Sequence, residues 1–258
     1  MVDPRNINLD ALNSATKYPS IPTYHELDKR NGGLLDEATE FGGKVILTEK
    51  VDGTNSRLVL FPTGDYIIGS REELLHARGD LIANPALGIV DALRDLAERL
   101  TPPDAGVRVY FLEVYGGRVT GASKQYTGTR AVGYRMFDAA DVPAAVLTWD
   151  RARISAWREE GGQSFLAEDA LQTVADKEQI PLTPRLGSVN AADLPTGIQP
   201  MRDVLSDRLP STQVALDEGA GGRPEGIVLR TPDRSVIAKA RIQDYDRTLK
   251  RQESARKK

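Results

Sequence analysis

Ile89, Leu93, Leu96 and Leu100 recur at the spacing of one face of an α-helix. Asn84-Pro85 just before them supplies a capping residue followed by proline at a first helical position. The pattern predicts a helix over residues 85–100, closed by Pro102-Pro103. Upstream, short apolar or β-branched runs at Lys44–Glu49, Arg57–Phe61 and Asp65–Ser70 predict strands, separated by Gly53 and by Pro62–Gly64. Strands resume at Val107–Val114 and Ala131–Asp138. A helical interlude follows at Asp150–Glu160, Glu168–Lys177 and Met201–Arg208, each edged by Gly or Pro. Gly226–Arg230 and Ser235–Ala240 are the last strands, joined through Pro232-Asp233. The first forty residues are polar and punctuated by Pro and Gly, and read as loop with short pieces of structure. Strands, then helices, then strands predict an α+β fold of antiparallel β-sheets flanked by helices. No flexible linker sets the interlude apart, so one domain over residues 1–241 is expected.

Composition removes whole classes of chemistry. The 258 residues contain no cysteine, which excludes disulfide scaffolds, thiol nucleophiles and thiolate metal sites. Two histidines, His25 and His76, are too few for a multi-histidine metal cage. No apolar run approaches the roughly 18–20 residues of a membrane helix. MVDPRNINLD lacks the apolar centre of a signal peptide, so the cytosol is the expected compartment and no membrane partner is expected. The net charge is −3, but six basic residues and one acid lie between Arg247 and Lys258. That local +5 leaves −8 on the rest of the chain. Residues 242–258 therefore read as a basic C-terminal tail, either a solvated terminus or a contact for a phosphate-bearing partner.

Charged and aromatic side chains recur where strands end. Glu49-Lys50-Val51-Asp52-Gly53-Thr54-Asn55 lies between two strands, with a lysine at a predicted tight turn that glycine's freedom at positive φ would allow. Such a lysine is either part of a surface hairpin or a nucleophile aimed into a cleft. Arg71, Glu113, Phe137-Asp138, Glu225 and Lys239-Ala240-Arg241 follow at further strand ends. Each alone could be an exposed charge on a strand edge. Together they favour a cleft.

In order from about Lys44 to Arg241, these residues resemble the covalent nucleotidyltransferases, comprising ATP-dependent DNA and RNA ligases and mRNA capping enzymes. Lys50-Val51-Asp52-Gly53 resembles the nucleophile motif, Glu113 the acid of the third motif and Phe137 the aromatic of the next. Glu225-Gly226-Ile227-Val228 resembles the fourth motif, and Lys239 with Arg241 the fifth, which usually carries two lysines. DNA ligases typically have arginine where Asn55 stands. Lys50-x-x-Gly53-Thr54-Asn55, and Tyr18-Pro19-Ser20-Ile21 near the start, are similar to the nick-sealing RNA ligases.

The resemblance implies an ATP-dependent RNA ligase. Lys50 would become adenylylated, pass AMP to an RNA 5′-phosphate, and a 3′-hydroxyl would then displace AMP. The expected substrate is a nicked RNA duplex. The attacking amine must be unprotonated, which burial, neighbouring Lys239 and Arg241 and a bound Mg²⁺ or Mn²⁺ would each favour. The same cations would neutralise charge on the phosphoryl oxygens. Glu49, Asn55, Arg71, Glu113, Phe137, Glu225 and Lys239 are the expected ATP contacts, with Phe137 on adenine and Arg71 and Glu113 on ribose or a terminal phosphate. Glu225 is the expected metal ligand, and Asp52 would orient Lys50 or the metal. Alternatives are a DNA ligase, opposed by Asn55, and a catalytically inactive nucleotide- or RNA-binding module. A capping enzyme fits less well, because only residues 242–258 follow Arg241 in place of an oligonucleotide-binding barrel. The sequence has no G-x-x-x-x-G-K-[ST] loop, which excludes a P-loop enzyme.

Overall fold

The computed structural model describes residues 4–83 and 88–256. The strands are β1 (His25–Leu27), β2 (Leu34–Ala38), β3 (Lys44–Lys50), β4 (Thr54–Leu60), β5 (Tyr66–Ser70), β6 (Leu74–Ala77), β7 (Asp80–Leu81), β8 (Val107–Gly116), β9 (Val132–Val142), β10 (Ser164–Phe165), β11 (Arg185–Asn190), β12 (Gly226–Arg230) and β13 (Ile237–Arg241). The α-helices are α1 (Leu9–Ala15), α2 (Ile89–Arg99), α3 (Arg151–Glu159), α4 (Glu168–Glu178), α5 (Ile198–Arg208) and α6 (Ile242–Arg256). Every strand pairing within the sheets is antiparallel, as the order of elements implied.

The chain sorts into two compact units. The first comprises the segment ending at Pro19, Gly53–Ser123 and Thr129–Leu182; the second comprises Ser20–Asp52, Lys124–Gly128 and the segment from Thr183 onward. This divides what the sequence suggested was one domain. The boundaries fall at short crossings inside residues 1–241, one of them between Asp52 and Gly53, so no composition shift marks them.

In the first unit the sheet order is β10-β9-β8-β4-β5-β6-β7. Leu58, Leu60, Tyr110, Leu112 and Val114 alternate onto one face, where they bury Ile89, Leu93 and Leu96 of α2 and Leu171 and Ala175 of α4. The helical spacing of the leucines thus has its partner. The expected start of that helix at Asn84-Pro85 lies outside the described residues. The other face carries Asn55, Arg57, Phe111 and Glu113, in register across β4 and β8.

In the second unit the sheet order is β11-β3-β12-β13. Val45, Leu47, Ile227, Leu229, Ala238 and Ala240 form one face, packed on Met201 and Leu205 of α5 and Ile242 and Tyr245 of α6. The supposed tail is therefore a helix from Ile242 to Arg256 with Ile242, Asp244, Tyr245 and Thr248 buried. Its high charge hides four inward positions near its start. His25 anchors it: Nε2 donates to the Thr196 carbonyl at 2.8 Å, which in the neutral imidazole leaves Nδ1 to accept from the Tyr245 hydroxyl at 2.8 Å. Among the described residues no helix is long and apolar enough to cross a membrane.

Candidate active site

Lys50 ends β3, and its place on the sheet follows from register. Gly226 pairs with Lys50 on one side and Arg241 on the other, while Val228 pairs with Thr48 and Lys239. Side chains alternate along a strand, so Lys50, Lys239 and Arg241 share the face opposite the apolar core. Gly226 stands between Lys50 and Arg241, and a Cβ there would collide with the Ala240 carbonyl oxygen and lie 2.8 Å from the Arg241 Cα. The glycine after Glu225 is thus required by close approach of neighbouring backbone.

The Lys50 ammonium donates to Glu225 Oε2 at 2.7 Å, with the two side chains 25% and 12% exposed. Burial pushes the Glu225 carboxyl above the usual carboxylate range, and nearby Asp52 adds to this, while Lys50 and Arg241 pull the other way. Arg241 donates through Nε to Asp244 Oδ2 at 2.7 Å, and the buried Asp244 accepts from Arg247 through Oδ1 at 2.9 Å. This fixes the Arg241 guanidinium through an aspartate in the first turn of the next helix. Lys239 is half-buried, and its backbone N–H and C=O bond Pro22 and Tyr24 respectively.

Glu49 points to the core face of β3 and is 1% exposed. Its Oε1 accepts from the Thr212 hydroxyl and its Oε2 from the Gln213 N–H at 2.8 Å. The residue next to Lys50 therefore ties the 212–213 segment to the strand. Asp52 is half-buried, and its backbone N–H donates to the Tyr126 hydroxyl oxygen at 2.6 Å. Tyr126 is fully buried, and burial pushes its phenol up. The same segment is laced to the 212–222 loop by Leu216 N–H to Tyr126 C=O and by Gly221 and Gly222 N–H to Lys124 and Gln125 C=O. The residues beyond Lys50 have left the ladder, and Tyr126 supplies the acceptor that a neighbouring strand would otherwise give.

The first unit holds the other expected site residues. Gly53 N–H donates to Glu113 Oε1 at 3.0 Å. Gly53 does not adopt positive φ. The expectation of a left-handed turn is corrected: a Cβ at this position would strike the Val114 carbonyl and lie 2.9 Å from the Tyr115 Cβ, so the glycine serves close approach. Asn55 pairs directly with Glu113 across β4 and β8. Arg71 is exposed after β5, with its Nε 3.6 Å from Glu72 Oε1.

Phe137 owes its orientation to a β-bulge. Phe111 pairs with Asp138 and Leu112 with Met136, which leaves Phe137 as the extra residue. Met136 and Ala139 join the α2-side core, while Phe137 turns to the opposite face. There the Tyr18 ring meets it edge-on, with centroids 5.0 Å apart, and Phe111 stacks at 6.4 Å. Tyr18 donates its hydroxyl to the buried Asp138 carboxylate at 2.9 Å.

Sequence reasoning missed Tyr126, Thr212 and Asp244. Asp244 lies one helical turn after Arg241, a spacing that could have suggested the pair. Nothing local points to Tyr126 or Thr212, which reach the motif across 74 and 163 residues.

Among the described residues no group of three or more His, Cys, Asp or Glu could hold a metal. Mg²⁺ asks for less: it keeps water and substrate phosphate oxygens and takes one or two carboxylates. Glu225, a carboxylate only 12% exposed and hydrogen-bonded to Lys50, fits such a donor set.

The fold has counterparts among solved structures. An archaeal ATP-dependent RNA ligase aligns over 89% of this chain and 49% of its own, at 16% identity and a TM-score of 0.54. A Naegleria gruberi RNA ligase mutant with ATP and Mn aligns over 90% and 62%, at 13% identity and a TM-score of 0.53. The Naegleria gruberi RNA ligase with PPi aligns over 91% and 64%, at 12% identity and a TM-score of 0.51. At these identities the likeness is one of fold, and the chain spans about half to two thirds of the length of these ligases. A search of curated proteins found no match. The RNA ligase family matches residues 43–245, and the chain belongs to that family.

Proposed function

We propose that this chain is an ATP-dependent RNA ligase that works through a covalent lysyl-AMP at Lys50. The observation that carries the reading is the 2.7 Å pair of Lys50 and Glu225 on a sheet face that also bears Lys239 and Arg241. Family membership supports the reaction class.

In the first step Lys50 Nζ attacks the α-phosphorus of ATP. A P–N bond forms, the bond to the β-phosphate oxygen breaks, and pyrophosphate leaves. The ammonium must first lose a proton, and Glu225, already hydrogen-bonded to it, is the nearest acceptor. Lys239 and Arg241 would neutralise charge on the phosphoryl oxygens. A divalent cation held by Glu225 and phosphate oxygens would supply further charge neutralisation. Phe137 is the proposed stacking face for adenine, and Asn55, Arg71 and Glu113 the proposed sugar and phosphate contacts. The part proposed for Glu49 and Asp52 is to hold the nucleophile segment through Thr212, Gln213 and Tyr126. AMP then passes to an RNA 5′-phosphate, and a 3′-hydroxyl attacks the activated phosphate, forms the phosphodiester and releases AMP.

The proposed substrate is a nicked RNA duplex, and the proposed compartment is the cytoplasm. The test is incubation of a labelled nicked RNA duplex with the protein, ATP and Mg²⁺ or Mn²⁺. Accumulation of adenylylated 5′-phosphate strand followed by sealed product supports the reading. Equal sealing of an all-DNA nick would overturn the choice of RNA.

A further inference from the structure

We propose that the outer face of α6 and the turn between β1 and β2 form one docking surface for the phosphodiester backbone of RNA. This rests on the reading of the chain as an RNA ligase and extends it to how the substrate is held. Arg247, Lys250 and Arg251 lie at i, i+3 and i+4, on the side of α6 opposite buried Tyr245 and Thr248, and all three are solvent-accessible. The turn brings Lys29 and Arg30 to the same neighbourhood, because Arg247 donates to the Gly32 carbonyl at 2.6 Å and Arg251 to the Asn31 carbonyl at 2.6 Å. Asp28 is spent inside the turn, where its carboxylate accepts from Arg30 N–H at 2.8 Å and Asn31 Nδ2 at 2.6 Å.

Two further observations make this more than a solvated helix face. Of the acids flanking the stripe, Asp246 is paired with Arg202 at 2.6 Å, which leaves Glu253 as the exposed counter-charge on that part of α6. Positive charge is thus gathered on a protein whose net charge is −3. The two arginines are also held in place by backbone carbonyls, and a guanidinium has five donors, so each keeps N–H groups for phosphate at reduced entropic cost. One buried carboxylate links this surface to the candidate site: Asp244 accepts from Arg247 at 2.9 Å and from Arg241 at 2.7 Å. A polyanion lying along α6 would meet Arg247 within one residue's reach of a proposed catalytic cation. The chemistry that fits is a chain of phosphodiesters read by charge rather than by base.

The test is fluorescence anisotropy of a labelled nicked RNA duplex against the wild-type protein and the triple variant Lys29→Gln, Arg30→Gln, Lys250→Gln. None of these side chains anchors the turn. A control variant, Arg78→Gln, Arg94→Gln, Lys177→Gln, removes the same charge from positions of the first unit. The surface variant should bind about tenfold more weakly, and its log–log salt slope should be shallower by about 0.9 for each phosphate no longer neutralised. Labelling by α-labelled ATP should stay within about twofold of wild type, since phosphate contacts of this kind set affinity for the polyanion and not the nucleotide chemistry. Equal weakening in the control, or unchanged binding in the surface variant while wild type binds RNA, would overturn the surface and leave the ligase reading standing. Competition by poly-glutamate as strong as by RNA would overturn it too, assigning the surface to an acidic protein instead. Failure of the wild type to bind RNA would overturn the surface and its RNA substrate together, with ATP labelling still judging nucleotidyl transfer.

Discussion

The Lys50 ammonium lies 2.7 Å from Glu225 Oε2, yet burial keeps the Glu225 carboxyl above the usual carboxylate range. Desolvation outweighs the attraction, so removing the cation should push the group further up. In Lys50→Met, Glu225 should titrate at higher pH than in the wild type, as followed by carboxyl carbon NMR. The stability consequence has a definite sign. A carboxyl raised in the folded state contributes stability below its unfolded pKa and loses it as pH rises through the folded pKa. Melting temperature of Lys50→Met should therefore fall with rising pH over a wider window than that of the wild type. An unchanged Glu225 titration would contradict the pairing.

Gly226→Ala should act on stability and activity together. The atoms nearest the added Cβ are backbone, at Ala240 and Arg241, so the strands must part. A cost of about 1–3 kcal/mol is expected from forced overpacking, read by urea denaturation. Self-adenylylation should drop more than folding does, because the same shift separates the rows carrying Lys50 and Arg241.

Tyr126→Phe removes the hydroxyl that accepts from the Asp52 N–H. Loss of the acceptor for the Asp52 N–H should cost about 1 kcal/mol, and a comparable loss of orientation at Lys50 would slow adenylylation about fivefold. The expected pattern is a lower kcat with KM for ATP unchanged. A raised KM with normal kcat would place Tyr126 in nucleotide binding instead.

Much of this arrangement was legible in residue order, and the reason differs by element. Strands β3, β8 and β12 announced themselves because one face of each is a run of apolar residues that must be buried. Helix α2 was legible for the same reason at helical period. Strand β11 was not: Arg185, Ser188 and Asn190 sit at a sheet edge with little to bury, so no alternation marks it. Helix α6 was read as a tail because its buried positions cluster near its start and charge dominates the rest. Lys50, Lys239 and Arg241 could be read as a set, since register across β3, β12 and β13 brings them to one face, and Glu225 immediately precedes β12. The partners that orient them are held by tertiary contacts with no local pattern, as Thr212 on Glu49 and Tyr126 on Asp52 illustrate.

Lys239→Ala and Arg241→Lys separate charge from geometry. Removing Lys239 should slow adenylylation on the order of 100-fold, the usual consequence of losing a preorganised charge at a phosphoryl group, with stability changed by less than about 1 kcal/mol. Arg241→Lys keeps the charge but cannot bond Asp244 through Nε and still present a planar pair of donors. A drop of at least about tenfold is expected in single-turnover labelling, and wild-type rates for either variant would remove that residue from the chemistry.

Lys50 is the proposed nucleophile, and its labelling tests the proposal directly. Wild-type protein and Lys50→Ala should be incubated with α-labelled ATP and Mg²⁺ or Mn²⁺, then separated under denaturing conditions. A covalent, hydroxylamine-labile label is expected on the wild type, released as ATP when pyrophosphate is added, and none on the variant. Label of equal intensity on Lys50→Ala would rule out Lys50 as the nucleophile.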